Sequence, residues 1–227
     1  MTATFVKQHT PDDFQPILQE LQRRALPVNY DRMVAGKGKS QAFGIIRRWS
    51  YRPWLSRNTW MRPELWTLLQ DFASKHVTIP WDAVQVNDNY ASQPHYDKGN
   101  RDTSYIVGFG DYTGGALTIQ SMEGTNTSYD IYHRGHTFNG AFNLHWTEPW
   151  AGQRYSLVFF RIEWPTKFPT YTITSRLVED GTEITDGYDS SILVLDRKGH
   201  LVRTVQPGQP MPWRGRLTEK GQRSRME

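Results

Sequence analysis

Hydrophobic and polar positions along this chain repeat mostly with a period of two, in short runs cut by glycine, asparagine and proline. Such runs read as strands, because successive side chains on extended backbone point to opposite faces. The pattern predicts strands over residues 42–46, 79–89, 104–109, 116–120, 128–132, 135–138 and 154–163, with a turn at 111–115. On the last of these, Arg154, Ser156, Val158 and Phe160 share one face. Two segments switch to helical spacing. In residues 11–26 the apolar positions Phe14, Ile17, Leu18 and Leu21 line up, with Thr10 placed to cap the helix and Pro11 at its first position; in residues 63–75 Leu65, Leu68, Leu69 and Phe72 make one face. Beyond Pro165, residues 171–174, 192–195 and 201–205 read as strands, the last two joined as a hairpin across residues 197–200. From Gln206 onward the chain is rich in proline, glycine and arginine, has little to bury, and is expected to be mobile. Many short strands with these turn signals predict a mainly β fold. The match is a double-stranded β-helix of the jelly-roll, cupin-like type, with N-terminal bracing helices and a C-terminal hairpin.

Length and composition narrow the picture. A chain of 227 residues can bury one sizeable core, so a single domain over residues 1–227 is expected, with its core at about 40–164 and an extension over 165–227. There is no cysteine, which excludes disulfides and thiolate metal sites and leaves histidine and carboxylate as the ligands for any metal. No apolar run approaches the ~18 residues of a membrane span, and the first seven residues are too polar for a secretory core. A soluble, intracellular protein, cytoplasmic or nuclear according to its host, is expected, with no membrane and no obligate protein partner.

The net charge is only +4, but it is unevenly spread. Residues 32–62 contain Lys37, Lys39, Arg47, Arg48, Arg52 and Arg57 with no acidic residue, interleaved with Trp49, Tyr51, Trp54 and Trp60. Cations that neutralise phosphates, set among aromatic faces that stack on bases, suit a nucleic-acid groove, and Arg47, Arg48 and Arg52 are the candidate contacts. A bland solvated face is the competing reading of the same run. Residues 36–40 superficially resemble a phosphate loop, but its first glycine would fall on Met33, so a nucleotide triphosphate site is rejected in favour of a flexible basic loop.

The most specific chemistry lies in His95-Tyr96-Asp97 and Arg154-Tyr155-Ser156. On extended chain His95 and Asp97 point the same way and can reach one ion while Tyr96 faces away. Two histidines and one carboxylate on one side of an Fe(II) leave its other positions open for co-substrate and dioxygen. The third ligand comes from His133, His136 or His145, and His145 is preferred because the Arg-x-Ser pair follows it at the start of an apolar run. An arginine fork with a hydroxyl two residues on suits a bidentate grip on a carboxylate.

The stretch Val86-Asn87-Asp88-Asn89-Tyr90, Pro94 to Asn100 with its H-x-D-x-x-N pattern, Ile106 to Gly115, and Gly152 to Phe160 together resemble the TET/JBP group of 2-oxoglutarate/Fe(II) dioxygenases. Those enzymes oxidise the 5-methyl group of cytosine or thymine in nucleic acid. The resemblance covers about residues 40 to 164. It implies that His95, Asp97 and His145 hold Fe(II), that Arg154 and Ser156 bind the C5 carboxylate of 2-oxoglutarate, and that O2 is the co-substrate. It further implies that Asn100 hydrogen-bonds a target base, that Phe160 stacks on it, and that a base in duplex DNA is flipped out to reach the metal. One departure stands out: where the animal TET enzymes have a base-contacting histidine two residues beyond the stacking aromatic, this chain has Ile162. The alternative on the same fold is hydroxylation of a small molecule, a free amino acid or a protein side chain.

Overall fold

The computed structural model describes residues 3–27, 38–48 and 50–162, and four further strands at residues 175–177, 183–185, 192–195 and 201–205. The chain opens with β1 (Thr4–Gln8) and a single 3-10 turn, then α1 (Gln15–Arg23). The hairpin β2 (Lys39–Arg48) and β3 (Ser50–Leu55) leads through the short α2 (Arg57–Met61) to α3 (Pro63–His76). The remaining strands of the fold are β4 (Ala83–Asp88), β5 (Asn100–Gly114), β6 (Leu117–Gln120), β7 (Asn126–Tyr129), β8 (Arg134–Phe138), β9 (Leu144–Thr147) and β10 (Trp150–Ile162). After them come two hairpins, β11 (Ser175–Leu177) with β12 (Glu183–Thr185), and β13 (Ile192–Leu195) with β14 (Leu201–Val205).

Seven strands form one sheet in the order β1-β8-β5-β10-β4-β2-β3, and three form a smaller sheet in the order β7-β6-β9. All their pairings are antiparallel. An isolated antiparallel bridge between His95 and His145 extends the small sheet past β9. This is a double-stranded β-helix.

Side-chain alternation explains how the layers stack. Val84 and Val86 of β4, Tyr105, Val107 and Phe109 of β5, and Tyr155, Leu157 and Phe159 of β10 all face the helices, where they pack with Phe14, Ile17 and Leu21 of the N-terminal segment and Leu65, Trp66, Leu69 and Phe72 of α3. Burial of each such side chain is worth about 1.5–3 kcal/mol. The opposite face of the same strands looks into the space between the sheets. There Ile106 and Phe138, with Val158 beside them, meet Leu117 and Ile119 of the small sheet. Large apolar residues fill the helix side and leave the interior side free to carry polar groups.

Several expectations need correction. The expected turn at 111–115 is strand up to Gly114, because β5 continues alongside β10, Gly114 lying opposite Trp150. The strand expected at 79–89 starts only at Ala83. Ser40, expected in a flexible loop, is fully buried on β2 opposite Asn87. The expectations for residues 171–174 and for the segment from Gln206 fall outside the described residues. The helices at 11–26 and 63–75 and the hairpin at 192–205 form as the pattern predicts, the first as a 3-10 turn followed by α1.

Candidate metal centre and anion pocket

His95, on the segment between β4 and β5, and His145, on β9, are held side by side by two backbone hydrogen bonds, each amide donating to the other's carbonyl at 3.1 Å. Asp97 is fixed from the other direction. Its amide donates to the Gly140 carbonyl at 2.8 Å, and the Asn100 amide closes a turn onto the Asp97 carbonyl at 2.8 Å. The three side chains therefore converge, with their ligand atoms all within 4.8 Å of one another. His95 Nε2 lies 3.5 Å from one Asp97 oxygen and His145 Nε2 lies 3.6 Å from the other.

Which nitrogen carries the proton follows from the outer partners. His95 Nδ1 is 2.7 Å from the Gln93 carbonyl, and His145 Nδ1 is 2.9 Å from the Asn143 carbonyl. A carbonyl only accepts, so both Nδ1 atoms carry the hydrogen and both Nε2 lone pairs face the carboxylate. Lone pairs opposed at this range repel unless a cation lies between them. The donor set of two imidazoles and one carboxylate, with second nitrogens tied off, fits Fe(II).

Gly140 roofs this cluster. A Cβ built there would stand 3.0 Å from Asp97 Oδ2 and 3.2 Å from His145 Cε1. Sequence reading missed Gly140, and its only visible signal is the Asn-Gly pair three residues before the second histidine's strand. His133 and His136 are elsewhere. His133 stacks on Phe14 and Tyr132, and His136 Nε2 bonds the Asp130 carbonyl.

Arg154 points into the interior from β10 and is only 2% exposed. Its Nε donates to the Gly115 carbonyl at 3.2 Å, and its guanidinium lies over the rings of Tyr112 and Trp150 at 5.6 and 5.5 Å. Burial pushes its pKa down, with Tyr112 opposing. No carboxylate among the described residues forms an ion pair with it. Room for the side chain comes from Gly115, in left-handed backbone with φ +66, where a Cβ would fall 2.7 Å from Arg154 Nε. Ser156, equally buried and on the same face, accepts from Asn87 Nδ2 at 3.1 Å.

A cavity of about 90 Å³ opens at His95, Asp97 and His145, lined also by Gln85, Asn87, Asn100, Val158 and Phe160 among others. Asn100 Nδ2 also donates to Asp97 Oδ2 at 3.3 Å, so the residue expected to read a substrate holds the carboxylate of a candidate metal ligand as well. Ile162 is buried, with its amide on Asp82. Arg47 and Arg48 sit at the end of β2, and Arg52 is on β3, the edge strand of the large sheet. Their side chains lie outside the described residues.

A second grouping, His9, Asp13 and His76, is closed by protein partners: Tyr105 OH meets His9 Nε2 at 2.6 Å and Lys7 Nζ meets His76 Nδ1 at 2.8 Å. An ammonium on Nδ1 leaves the His76 proton on Nε2, where a metal would need the lone pair, so this cluster is a polar strut tying the N-terminal segment to α3.

No protein-family model matches the chain, and no curated protein matches it in sequence. Its fold is similar to that of NgTET1, solved in complex with 5mC DNA, at TM-score 0.52 and 13% identity, over 75% of each chain. A 2OG-Fe(II) oxygenase family oxidoreductase from Burkholderia pseudomallei aligns at TM-score 0.48 and 18% identity, over 70% of this chain and 84% of that one. A prolyl-4-hydroxylase from Pseudomonas putida aligns at TM-score 0.44 and 16% identity, over 71% and 92%.

Proposed function

We propose that this chain is a 2-oxoglutarate- and Fe(II)-dependent dioxygenase that hydroxylates the 5-methyl group of a pyrimidine base, 5-methylcytosine or thymine, in DNA. The observation that carries the reading is Arg154: a buried guanidinium without a carboxylate partner among the described residues, on the strand β10 whose Val158 and Phe160 line the cavity together with His95, Asp97 and His145. A buried, uncompensated cation is costly, and an anionic co-substrate removes that cost. His95, Asp97 and His145 would hold Fe(II), which supplies activation of dioxygen once 2-oxoglutarate is bound. Arg154 and Ser156 grip the far carboxylate of the co-substrate, the arginine by its fork and the serine by its hydroxyl. Asn100 keeps Asp97 oriented and meets the substrate edge, while Phe160 offers a ring face at the cavity wall.

The nucleic-acid branch draws support from the fold shared with NgTET1, from the H-x-D-x-x-N pattern, and from the basic, aromatic β2–β3 region. A base stacked in a duplex cannot reach a ligand cluster inside a β-helix, so the substrate base would be flipped out. The buried Ile162 favours the second reading, hydroxylation of a small molecule, a free amino acid or a protein side chain. Incubation with methylated and unmethylated DNA, Fe(II) and 2-oxoglutarate, followed by nucleoside mass spectrometry, tests the choice. Hydroxymethyl product is the expected result. Succinate formation that is stimulated by no DNA substrate would shift the assignment to the second reading.

A further inference from the structure

The phenol of Tyr112 is a donor without an acceptor. It is only 7% exposed, and its hydroxyl has no hydrogen-bond partner among the described residues. The guanidinium of Arg154 lies over its ring at 5.6 Å, but a guanidinium only donates. Burial pushes the phenol up to about 12, with Arg154 opposing, so the hydrogen stays on the oxygen at neutral pH. A buried hydroxyl left unsatisfied costs about 1–3 kcal/mol, and phenylalanine would fill the same place without that cost.

Register shows where this hydrogen lies. Gly108, Gly110 and Tyr112 of β5 stand opposite Ser156, Arg154 and Gly152 of β10, all on the interior face that Ile106 and Val158 share. The Tyr112 ring leans back along β5 to Gly108, where an added Cβ would collide with the hydroxyl oxygen. Side chains directly opposite one another have Cβ atoms about 4.5–5.5 Å apart, so the phenol hydroxyl lies beside the Ser156 side chain as well as the guanidinium. Ser156 is itself prepared by a one-way chain of hydrogen bonds. Gln85 Nε2 donates to Ser40 Oγ at 2.7 Å, the Ser40 hydroxyl donates to Asn87 Oδ1, and Asn87 Nδ2 donates to Ser156 Oγ at 3.1 Å. By accepting from Asn87, Ser156 keeps its own hydrogen for an anion beside Arg154.

We infer that Tyr112 is a further co-substrate-binding residue, donating its hydroxyl hydrogen to the far carboxylate of 2-oxoglutarate alongside Arg154 and Ser156. The inference rests on the co-substrate reading above and adds to it a residue that the R-x-S pattern does not contain. A carboxylate has two oxygens with about four lone-pair sites between them, enough for an arginine fork and two hydroxyls at once. A methyl group in the same place accepts from none of them and leaves the phenol as it was.

2-Oxoglutarate and 2-oxopentanoate, which has a methyl group in place of the far carboxylate, are titrated calorimetrically into the iron-loaded full chain without oxygen, so that binding is read apart from turnover. Tyr112→Phe removes one oxygen. It is expected to weaken 2-oxoglutarate binding about tenfold or more and to leave 2-oxopentanoate binding unchanged. A merely structural role would weaken both ligands alike. Unchanged affinity for 2-oxoglutarate, or equal losses for the two ligands, would overturn the inference, while weaker 2-oxoglutarate binding in Arg154→Lys would keep the co-substrate reading standing. If Tyr112→Phe does not fold, wild type decides. 2-Oxoglutarate should shift the near-ultraviolet tyrosine absorption to longer wavelength, as donation from a phenol to a carboxylate does; no shift, or the same shift with 2-oxopentanoate, would overturn the inference. Wild-type affinity no greater for 2-oxoglutarate than for 2-oxopentanoate would overturn the co-substrate reading itself, and the inference with it.

Discussion

At the scale of single residues, the site depends on atoms whose alternatives are already closed. His145 Nδ1 is committed to the Asn143 carbonyl, so only Nε2 can serve a metal. His145→Ala should therefore lose iron, measured by elemental analysis of protein loaded anaerobically, and abolish succinate formation. Full iron retention would show that the metal sits elsewhere. Arg154→Lys keeps the charge but loses the fork, and KM for 2-oxoglutarate should rise on the order of tenfold or more; an unchanged KM would place the co-substrate on other groups. The pairing of Arg154 with Ser156 was legible in the sequence because R-x-S uses the two-residue period of a strand, whereas the nearness of His95 and Asp97 was read from the same spacing although they lie on the segment between β4 and β5 and on no named strand. The Gln85–Ser40–Asn87 chain was not legible. It depends on the pairing of β2 with β4, 40 opposite 87, and no local pattern encodes that register. The one trace was the alternation of Val84, Gln85, Val86 and Asn87, whose polar face turns inward rather than to solvent.

At the scale of elements, the loop between β8 and β9 is where the metal cluster is most tightly confined. The Asn139 side chain accepts from the amides of Ala141 and Phe142 at 3.2 Å each, and Gly140 brings bare backbone against Asp97 and His145. Gly140→Ala should weaken Fe(II) binding while the fold persists, which a metal titration beside a thermal melt would separate; unaltered iron affinity would mean that the loop gives way. The hairpin β2–β3 carries Arg47, Arg48 and Arg52. Replacing all three with glutamine should weaken binding to DNA of any sequence and flatten its salt dependence, read by mobility shift across a salt series. Strands β1 and β3, the short β9 and helix α2 escaped the sequence reading. β1 and β3 are sheet edges, with one paired side only.

Across the whole molecule, the packing of helices on the large sheet has a pH dependence built into it. His9 is buried against Phe14 and Phe72, faces Asp13, His76 and Tyr105, and has its pKa lowered to about 4, mainly by burial and next by His76. The unfolded chain takes up this proton near pH 6.5, whereas the folded chain resists it until about pH 4. Stability from His9 is thus fully present above about pH 6.5 and is lost as pH falls toward 4, to a limit of about 3 kcal/mol. Burial lowers the pKa of His76 and His133 in the same direction. Urea unfolding should show a smaller free energy at pH 5 than at pH 7.5, and His9→Gln should flatten the difference; a pH-independent wild type would mean that His9 is protonated in the fold. The alternation along β10 also governs how such a molecule can change over generations. Leu157 and Phe159 pack against the helices, while Val158 and Phe160 line the cavity beside His95, Asp97 and His145. Descendants can acquire new substrates by replacing the second pair, together with Gln85 across from Val158, without disturbing the first. Gain or loss of one residue at Arg154 or beyond would exchange the two sets and remove fold and site together.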